Sequence, residues 1–393
     1  MDEARAAEGK STTRRVIKGI PYTLYFETTN GRRYYRVKKG RFQIPIGRAD
    51  LPGFDDRVLA AHREIEGRGY LGKLQYNTPK PLFFPVWDGS PIYWPWPSIL
   101  ITYSAIKEVI RNGMPEYYHE NRKRTIIMVE SGGYSESKPE SQESLILDQA
   151  KIFPDVAFTY DTSLIPFKHL KDKEKERRFN ELTTSQVNHM YRINRDDAKM
   201  AKKLRNKLGM RSALLAVIHA RSIKDEVENA KKLYDLGFRM FGIRGGFKQT
   251  RAEDEIKPAV FAALKDALPD DVWLHGLGIG SIDILKEIGS NIDSFDNSEL
   301  ITQTSKGYVY DEGQWLDVST KKRRGKEVNP KTIKNRLDAF AAYGYDKATI
   351  DKMDRLSKSD NESERVSGSD MVLRLVNFFN YTDYLKRELW KIK

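Results

Sequence analysis

The chain has 393 residues, enough for one large folded core and one or two smaller modules. Its 68 lysines and arginines exceed its 55 aspartates and glutamates by 13, which favours a polyanionic partner such as nucleic acid; a basic enzyme without such a partner is the alternative. The chain contains no cysteine, which excludes disulfides, cysteine–zinc sites and thiol nucleophiles.

The N-terminal residues 1–15 are polar and charged, and we expect a disordered tail there rather than a secretory signal. No apolar run in the sequence is long enough to span a bilayer. The sequence therefore predicts no membrane association and a cytoplasmic location, in the host cytoplasm if the protein is viral.

Residues 16–75 are predicted to form a basic, β-rich module. Two β-prone runs flank Asn30-Gly31, a dipeptide that is typical of a hairpin turn. Basic residues lie between the tyrosines and phenylalanines of this sheet: Arg32, Arg33, Arg36, Lys38, Lys39 and Arg41. Such a surface can bind phosphates and stack on bases, and a solvated sheet face above packed tyrosines remains the alternative.

Residues 76–305 show short apolar runs separated by helical stretches. The runs are Leu82 to Val86, Ile99 to Tyr103, Thr125 to Val129, Val156 to Tyr160, Ala213 to Ile218, Met240 to Ile243, Val272 to His275 and Ile292 to Phe295. Continuous apolar strands that alternate with helices indicate a parallel sheet buried on both faces. Eight such units predict an α/β fold, the TIM (β/α)₈ barrel.

Residues 306–393 are predicted to form a basic loop and a helical extension. The loop contains Lys321, Lys322, Arg323 and Arg324, which either contact a nucleic-acid backbone or form a solvated surface. Residues 357–369 are rich in serine and acidic residues and are predicted to be a flexible linker. The apolar stripe from Asp370 to Lys391 predicts a helix that packs on the barrel.

The carboxyl ends of the predicted strands carry the residues most suited to chemistry. They are Asp88, Glu130, Asp161, His219, Arg244, His275 and Asp296. Strand ends converge on one pocket in such a barrel, and paired carboxylates are the usual groups for cleaving a glycosidic bond. A single acidic strand end often caps a helix instead, and His219 and His275 are alternatively core histidines.

Five segments resemble motifs of the tRNA-guanine transglycosylase family, in the family's order and over about residues 80–300. They are Val129-Glu130-Ser131-Gly132-Gly133-Tyr134, Asp155 to Asp161, Phe241 to Gly246, Leu274 to Gly278 and Ile292-Asp293-Ser294-Phe295-Asp296. Each motif alone is unspecific, but the ordered set supports the resemblance.

The resemblance implies a role for each matching residue. Asp296 would be the nucleophile that attacks the anomeric carbon of a guanosine, and Glu130 the general acid and base. Asp161 would pair with the N–H edge of the purine, and Tyr134 and His275 would stack on its two faces. The base-binding residues would be Ser131, Gly132, Gly133, Tyr134, Asp161, His219, Gly245, Gly246, His275 and Gly276.

Departures from the family's motifs favour its DNA-modifying branch. Glu130 stands where the family has aspartate, His219-Ala220 replaces Gln-Gly, and the cysteine-and-histidine zinc site is absent. We therefore expect no metal and no cofactor, and DNA rather than tRNA as the polymer. The guanine would be flipped out of the duplex and replaced by a 7-deazaguanine (preQ0-type) base.

Two alternatives stay open at this point. One keeps the chemistry and makes tRNA the polymer; the other is a barrel that binds nucleic acid or a purine without turnover. The sequence determines neither the substituent at position 7 of the incoming base nor the oligomeric state.

Overall fold

The computed structural model of the protein divides into two compact units, one within residues 1–78 and 202–213 and the other within residues 79–201 and 214–393. The structure describes residues 11–17, 20–29, 31–39, 42–55, 57–58, 61, 80–89, 94, 96–114, 118, 125–132, 139–161, 171–244, 255–317, 351, 355 and 362–391. None of the helices within these ranges combines the length and apolar character that a membrane crossing requires.

The first unit contains a four-stranded antiparallel sheet. Its strands are β1 (Ser11–Ile17), β2 (Ile20–Thr29), β3 (Arg32–Lys39) and β4 (Phe42–Gly47), in that order across the sheet. Gly31 has a φ of 73°, a left-handed conformation that suits the turn between β2 and β3. One face of the sheet packs on a small core that includes Leu24, Val37 and Phe54.

Residues 11–15 correct the prediction of a tail through residue 15, because they form most of β1. The segment looks polar because only one of its faces packs on the core: Ile17 is buried, whereas Arg14 and Val16 are exposed. Pairing of the whole of β1 with the Ile20 to Phe26 part of β2 therefore supplies the order that the composition of residues 11–15 does not indicate.

The second unit contains eight parallel strands that close into a barrel, which confirms the predicted fold. The strands are β5 (Leu82–Trp87), β6 (Ser98–Ile101), β7 (Ile126–Val129), β8 (Val156–Phe158), β9 (Ala213–Ile218), β10 (Met240–Ile243), β11 (Trp273–Gly276) and β12 (Ser294–Asn297). Chain order is also neighbour order, and β12 pairs with β5 to close the barrel.

Helices connect these strands and extend the chain beyond them. They are α1 (Tyr103–Asn112), α2 (Gln142–Ile152), α3 (Asp172–Glu181), α4 (Thr184–Leu208), α5 (Ile223–Asp235), α6 (Lys257–Ala267), α7 (Ile282–Ile288), α8 (Glu299–Thr302) and α9 (Glu362–Glu388). The start of α5 illustrates how local sequence sets a boundary: Ser222 Oγ accepts the N–H of Asp225 at 3.2 Å. Gly237, with a φ of 89°, follows its end.

Helix α9 lies over the seam where β12 meets β5. The ring of Tyr381 is 5.3 Å from that of Phe83, which stacks on Phe295 at 5.2 Å. Arg374 donates to Asp88 at 3.0 Å. Residues 362–369 belong to this helix, which corrects the linker predicted for residues 357–369.

A short antiparallel ribbon that the sequence analysis did not predict, β13 (Tyr308–Asp311) and β14 (Gln314–Asp317), packs beside α9. Asn377 of α9 accepts the N–H of Tyr310 at 2.8 Å and donates to the carbonyl of Tyr308 at 2.9 Å. The predicted basic loop of Lys321, Lys322, Arg323 and Arg324 lies outside the described residues.

Candidate active site

A cavity of about 420 Å³ opens at the carboxyl ends of the barrel strands. Its apolar wall consists of Val86, Leu100, Phe158, Val217 and Leu277. Its polar groups are Thr102, Ser104, Glu130, Ser131, Asp161, Arg244, Lys257, Gly278, Asp296 and Ser298. The volume is that of a small-molecule site, and the lining combines an apolar wall with a larger number of converging polar groups.

Asp296 is the carboxylate that β12 contributes to this cavity. The residue is 7% exposed, and its Oδ1 accepts two hydrogen bonds, from the N–H of Gly278 at 3.0 Å and from Nε2 of His275 at 3.2 Å. No described residue donates to Oδ2 of Asp296. The carboxylate is thus held by one oxygen while the other stays available to a ligand.

Glu130 follows β7 and lies at the amino end of α1. Its Oε1 accepts the N–H of Tyr103, the first residue of that helix, at 3.3 Å. The helix amino end carries partial positive charge and stabilises a carboxylate. The side chain of Tyr103 points to Asp148 instead: burial, and then the carboxylate of Asp148 that accepts the Tyr103 hydroxyl at 2.9 Å, raise the pKa of Tyr103 to about 12.

Gln149 fixes the backbone that presents Glu130. Its Nε2 donates to the carbonyls of Val129 at 3.3 Å, Glu130 at 3.4 Å and Phe158 at 3.2 Å. One buried side chain of α2 therefore connects the carboxyl ends of β7 and β8. Sequence reasoning missed this residue, since a glutamine on a helix gives no signal of such a contact.

Asp161 and His219 form a buried pair at the ends of β8 and β9. Nε2 of His219 is hydrogen bonded to Oδ1 of Asp161, and Asp161 also lines the cavity. The structure thus brings both predicted base-binding residues together, with His219 behind Asp161 rather than in the cavity wall.

Two predicted base contacts are contradicted by the packing of β11. His275 is 0% exposed, and its ring contacts the rings of Phe84 and Phe158 edgewise at 5.7 and 5.9 Å, so neither face is open for stacking on a base. Gly276 is buried on the other side of the strand, where an added Cβ would lie 2.7 Å from Ile279 and Ile292. The absence of a side chain at Gly276 lets Ile279 and Ile292 pack closely against this strand.

The other predicted base-binding residues have different outcomes. Ser131 is buried and lines the cavity, and Gly132 follows it with a φ of 72°. Gly133, Tyr134, Gly245 and Gly246 lie outside the described residues.

Two basic side chains in the cavity wall were not assigned a role from the sequence. Arg244 follows β10, and Lys257 is the first residue of α6. They add positive charge to a cavity that contains three carboxylates. Arg244 was among the strand-end residues selected from the sequence, whereas Lys257 is far from any predicted strand end and gave no such signal.

Asp88 and Asp293 lie outside this cavity. Asp88 accepts a hydrogen bond from Arg374 of α9, as described above. Asp293 precedes β12 at the opposite end of the barrel, where Lys80 and Lys265 donate to its two oxygens at 3.0 and 2.7 Å. Of the two aspartates in the segment Asp293 to Asp296, only the second is in the site.

The predicted nucleic-acid residues of the first unit lie on both faces of its sheet. Strand alternation puts Arg32 and Arg36 on the face away from the core, and Arg14 of β1 is on the same face, separated from them by β2. Arg33 is on the core face, where its guanidinium is 4.7 Å from the ring centre of Phe26. The side chains of Lys38 and Lys39 are not described, and Arg41 lies outside the described residues.

Within the described part of the chain, no group of three or more histidine, aspartate or glutamate side chains is arranged to hold a metal ion. No protein-family model matches the sequence, and no curated protein does either.

Proposed function

We propose that the protein replaces guanine in DNA by a 7-deazaguanine base through a covalent Asp296–deoxyribose intermediate. The observation that supports this best is the convergence of Glu130, Asp161 and Asp296 on one cavity with an apolar wall. A flat heterocycle needs such a wall for its faces, a polar group for its edge, and two carboxylates for displacement at the sugar.

In the first half-reaction Asp296 Oδ2 attacks C1′ of the flipped nucleotide. The C1′–N9 bond breaks, its electron pair stays on the base, and the base takes a proton from Glu130. The carboxylate left on Glu130 is stabilised by the Tyr103 N–H and the amino end of α1. In the second half-reaction this carboxylate takes the N9 proton of the incoming base, N9 attacks C1′, and Asp296 is released.

Recognition of the base is assigned to Asp161, with the apolar wall, Phe158 included, against the ring. His219 donates to Oδ1 of Asp161 and so leaves Oδ2 as the acceptor for a purine N–H. Arg244 and Lys257 provide the positive charge that a phosphate beside the flipped nucleotide requires.

DNA is favoured as the polymer by the open face of the first unit's sheet. That face carries Arg14, Arg32 and Arg36 together with Tyr25 and Tyr34, and the side chain of Tyr34 is 39% exposed. Basic and aromatic side chains on one face bind a phosphate backbone and stack on exposed bases. Flipping a base costs a few kcal/mol, which such contacts offset.

The test is trapping of the intermediate. Protein is incubated with duplex DNA, with single-stranded DNA or with tRNA, in the absence of a replacement base. Denaturing electrophoresis then separates any covalent protein–nucleic acid adduct from free protein. We expect an adduct with DNA that labelled guanine releases, none with Asp296→Asn, and an unchanged adduct with Asp283→Asn, a control at an aspartate whose side chain is 87% exposed.

An adduct that forms with tRNA and not with DNA would show that tRNA is the substrate, with the same covalent chemistry. Retention of the adduct in Asp296→Asn would refute the nucleophile. Purine binding without an adduct on any polymer would favour the non-catalytic barrel. Mass spectrometry of nucleosides from DNA treated with a panel of 7-deazaguanines then identifies the incoming base.

A further inference from the structure

Four polar side chains alternate between β11 and β12 along the inside of the barrel. Trp273 Nε1 donates to Ser294 Oγ at 2.7 Å, and Ser294 Oγ is 2.8 Å from Nδ1 of His275. His275 Nε2 is in turn 3.2 Å from Oδ1 of Asp296. This polar ladder, Trp273–Ser294–His275–Asp296, ends at the cavity.

The direction of the hydrogen bonds follows from what each group can do. An indole N–H only donates, so Ser294 Oγ accepts from Trp273 and has its own hydrogen left to give. Among the described residues the acceptor for that hydrogen is Nδ1 of His275. His275 then carries its hydrogen on Nε2 and donates it to Asp296, which satisfies every donor in the polar ladder.

The location of the polar ladder distinguishes it from ordinary core packing. The interior of such a barrel is filled mainly by branched apolar side chains, and a buried polar group is costly unless it is hydrogen bonded. Trp273, Ser294 and His275 are each 0% exposed. Phe84 and Phe158 contact the imidazole edgewise and restrict its position.

We infer that His275 is a positioning residue for Asp296, held in its tautomer by Ser294 and Trp273. This inference rests on the proposed function, because it assigns the part of the site that orients the nucleophile. The Nε2–H of His275 and the N–H of Gly278 both bind Oδ1, which leaves Oδ2 as the atom that attacks C1′.

The same contacts act in both half-reactions. When Oδ2 forms its bond to C1′, Oδ1 becomes the carbonyl oxygen of the ester and keeps both donors. When the incoming base breaks that bond, the electron pair returns to the carboxylate, and the two N–H groups stabilise its charge. His275 itself neither gains nor loses a proton.

The first test reads the tautomer and does not require activity. Long-range ¹H–¹⁵N spectra of histidine-labelled protein resolve protonated from bare ring nitrogens, and among the six histidines His275 is assigned by its loss in His275→Gln. We expect a bare Nδ1 and a protonated Nε2 at neutral pH. A hydrogen on Nδ1 would overturn the polar ladder.

The second test compares variants with different donors at this position. His275→Gln keeps an N–H that reaches Asp296, whereas His275→Leu fills the space without a donor. We expect kcat to fall roughly 100-fold in the leucine variant and less than 10-fold in the glutamine variant. KM for DNA should stay unchanged in both, because the buried ring touches no ligand.

A purely structural role gives another pattern. Equal losses in both variants, or losses that disappear after correction for the folded fraction measured by thermal unfolding, would overturn the inference. If the wild-type protein forms no adduct with DNA or tRNA, the proposed reaction fails, and the use of His275 in it fails too. The spectra still decide separately whether the polar ladder exists.

Discussion

Glu130 and Asp296 line the same cavity from strands that are three places apart in the barrel order β12-β5-β6-β7. They therefore approach the cavity from different sides rather than as neighbours on one strand pair. Each is fixed by a backbone N–H, Tyr103 for Glu130 and Gly278 for Asp296. A ligand between them meets one carboxylate on each side.

The two aspartates of one short segment should separate chemistry from stability. Asp296→Asn should abolish the covalent adduct with little loss of thermal stability, since no ion pair with lysine or arginine holds its carboxylate among the described residues. Asp293→Asn should retain the adduct and destabilise the fold by about 1–3 kcal/mol, because the buried carboxylate loses its charge-assisted hydrogen bonds to Lys80 and Lys265, whose side chains are partly exposed. Denaturant unfolding and adduct yield per folded molecule measure the two effects. Loss of the adduct in both variants would contradict the division.

Glu226 should make the protein less stable as the pH rises. Burial, and then the neighbouring Asp225 carboxylate, raise the pKa of Glu226 in α5 to about 8, against about 4.3 in an unfolded chain. The unfolded state thus releases its proton first, and the stability that the neutral group contributes is complete below about pH 4 and is lost towards pH 8.

Glu226→Gln should therefore raise the free energy of unfolding by a few kcal/mol at pH 8.5, at about 1.4 kcal/mol per pKa unit, and by little at pH 4.5. Urea unfolding at several pH values measures the difference from wild type. Glu228→Gln, at a side chain 51% exposed on the same helix, is the control and should show no such trend. A pH-independent difference for Glu226→Gln would contradict the assignment.

Gln149→Met should lower stability and slow the exchange reaction together. The substitution keeps the side-chain volume but removes the donor shared by the carbonyls of Val129, Glu130 and Phe158. We expect a loss of about 1–3 kcal/mol in unfolding free energy, with a further loss in kcat per folded molecule because Glu130 is less well held. Leu147→Met, on the exposed side of the same helix, should change neither quantity.

The open sheet face should determine the salt dependence of DNA binding. Removing two phosphate contacts in Arg14→Gln/Arg32→Gln should reduce the slope of log K against log salt by about 2, whereas Arg36 on the same face already pairs with Glu27. Arg15→Gln/Arg33→Gln removes the same charge from the core face, where Arg15 pairs with Asp55 and Arg33 lies on Phe26, and should change the slope less. Fluorescence anisotropy with a labelled duplex measures the salt dependence of binding for each double variant. If both double variants reduced the slope equally, DNA would not bind preferentially to the open sheet face.

The barrel was predictable because its strands are continuous apolar runs; β9, for example, spans the predicted Ala213–Ile218. Glu130, Asp161 and Asp296 were found for the same reason, since strand ends of a parallel barrel meet at one side. The role of His275 was missed because strand ends were taken to point into the cavity. The imidazole belongs to the barrel interior one layer below, and its partners are set by the register of β11 and β12, which composition does not reveal.

Order at the ends of the chain was harder to predict. Residues 11–15 and 362–369 are polar, so their composition alone suggested disorder. In the structure, β1 gains its order from pairing with β2, and residues 362–369 are the first part of a helix that buries Met371 and later apolar residues. In both segments, contacts with residues remote in the sequence, rather than local propensity, determine that the chain is ordered.

The position of α9 over the seam between β5 and β12 affects how the protein is made. During synthesis, β5 is made before β12, and Tyr381, whose ring packs on Phe83 at their junction, is made after both. A nascent chain that stops before α9 therefore exposes apolar surface around Phe83 and Phe295, and transiently exposed apolar surface favours aggregation. The junction of β5 and β12 therefore becomes covered only once α9 has been synthesised.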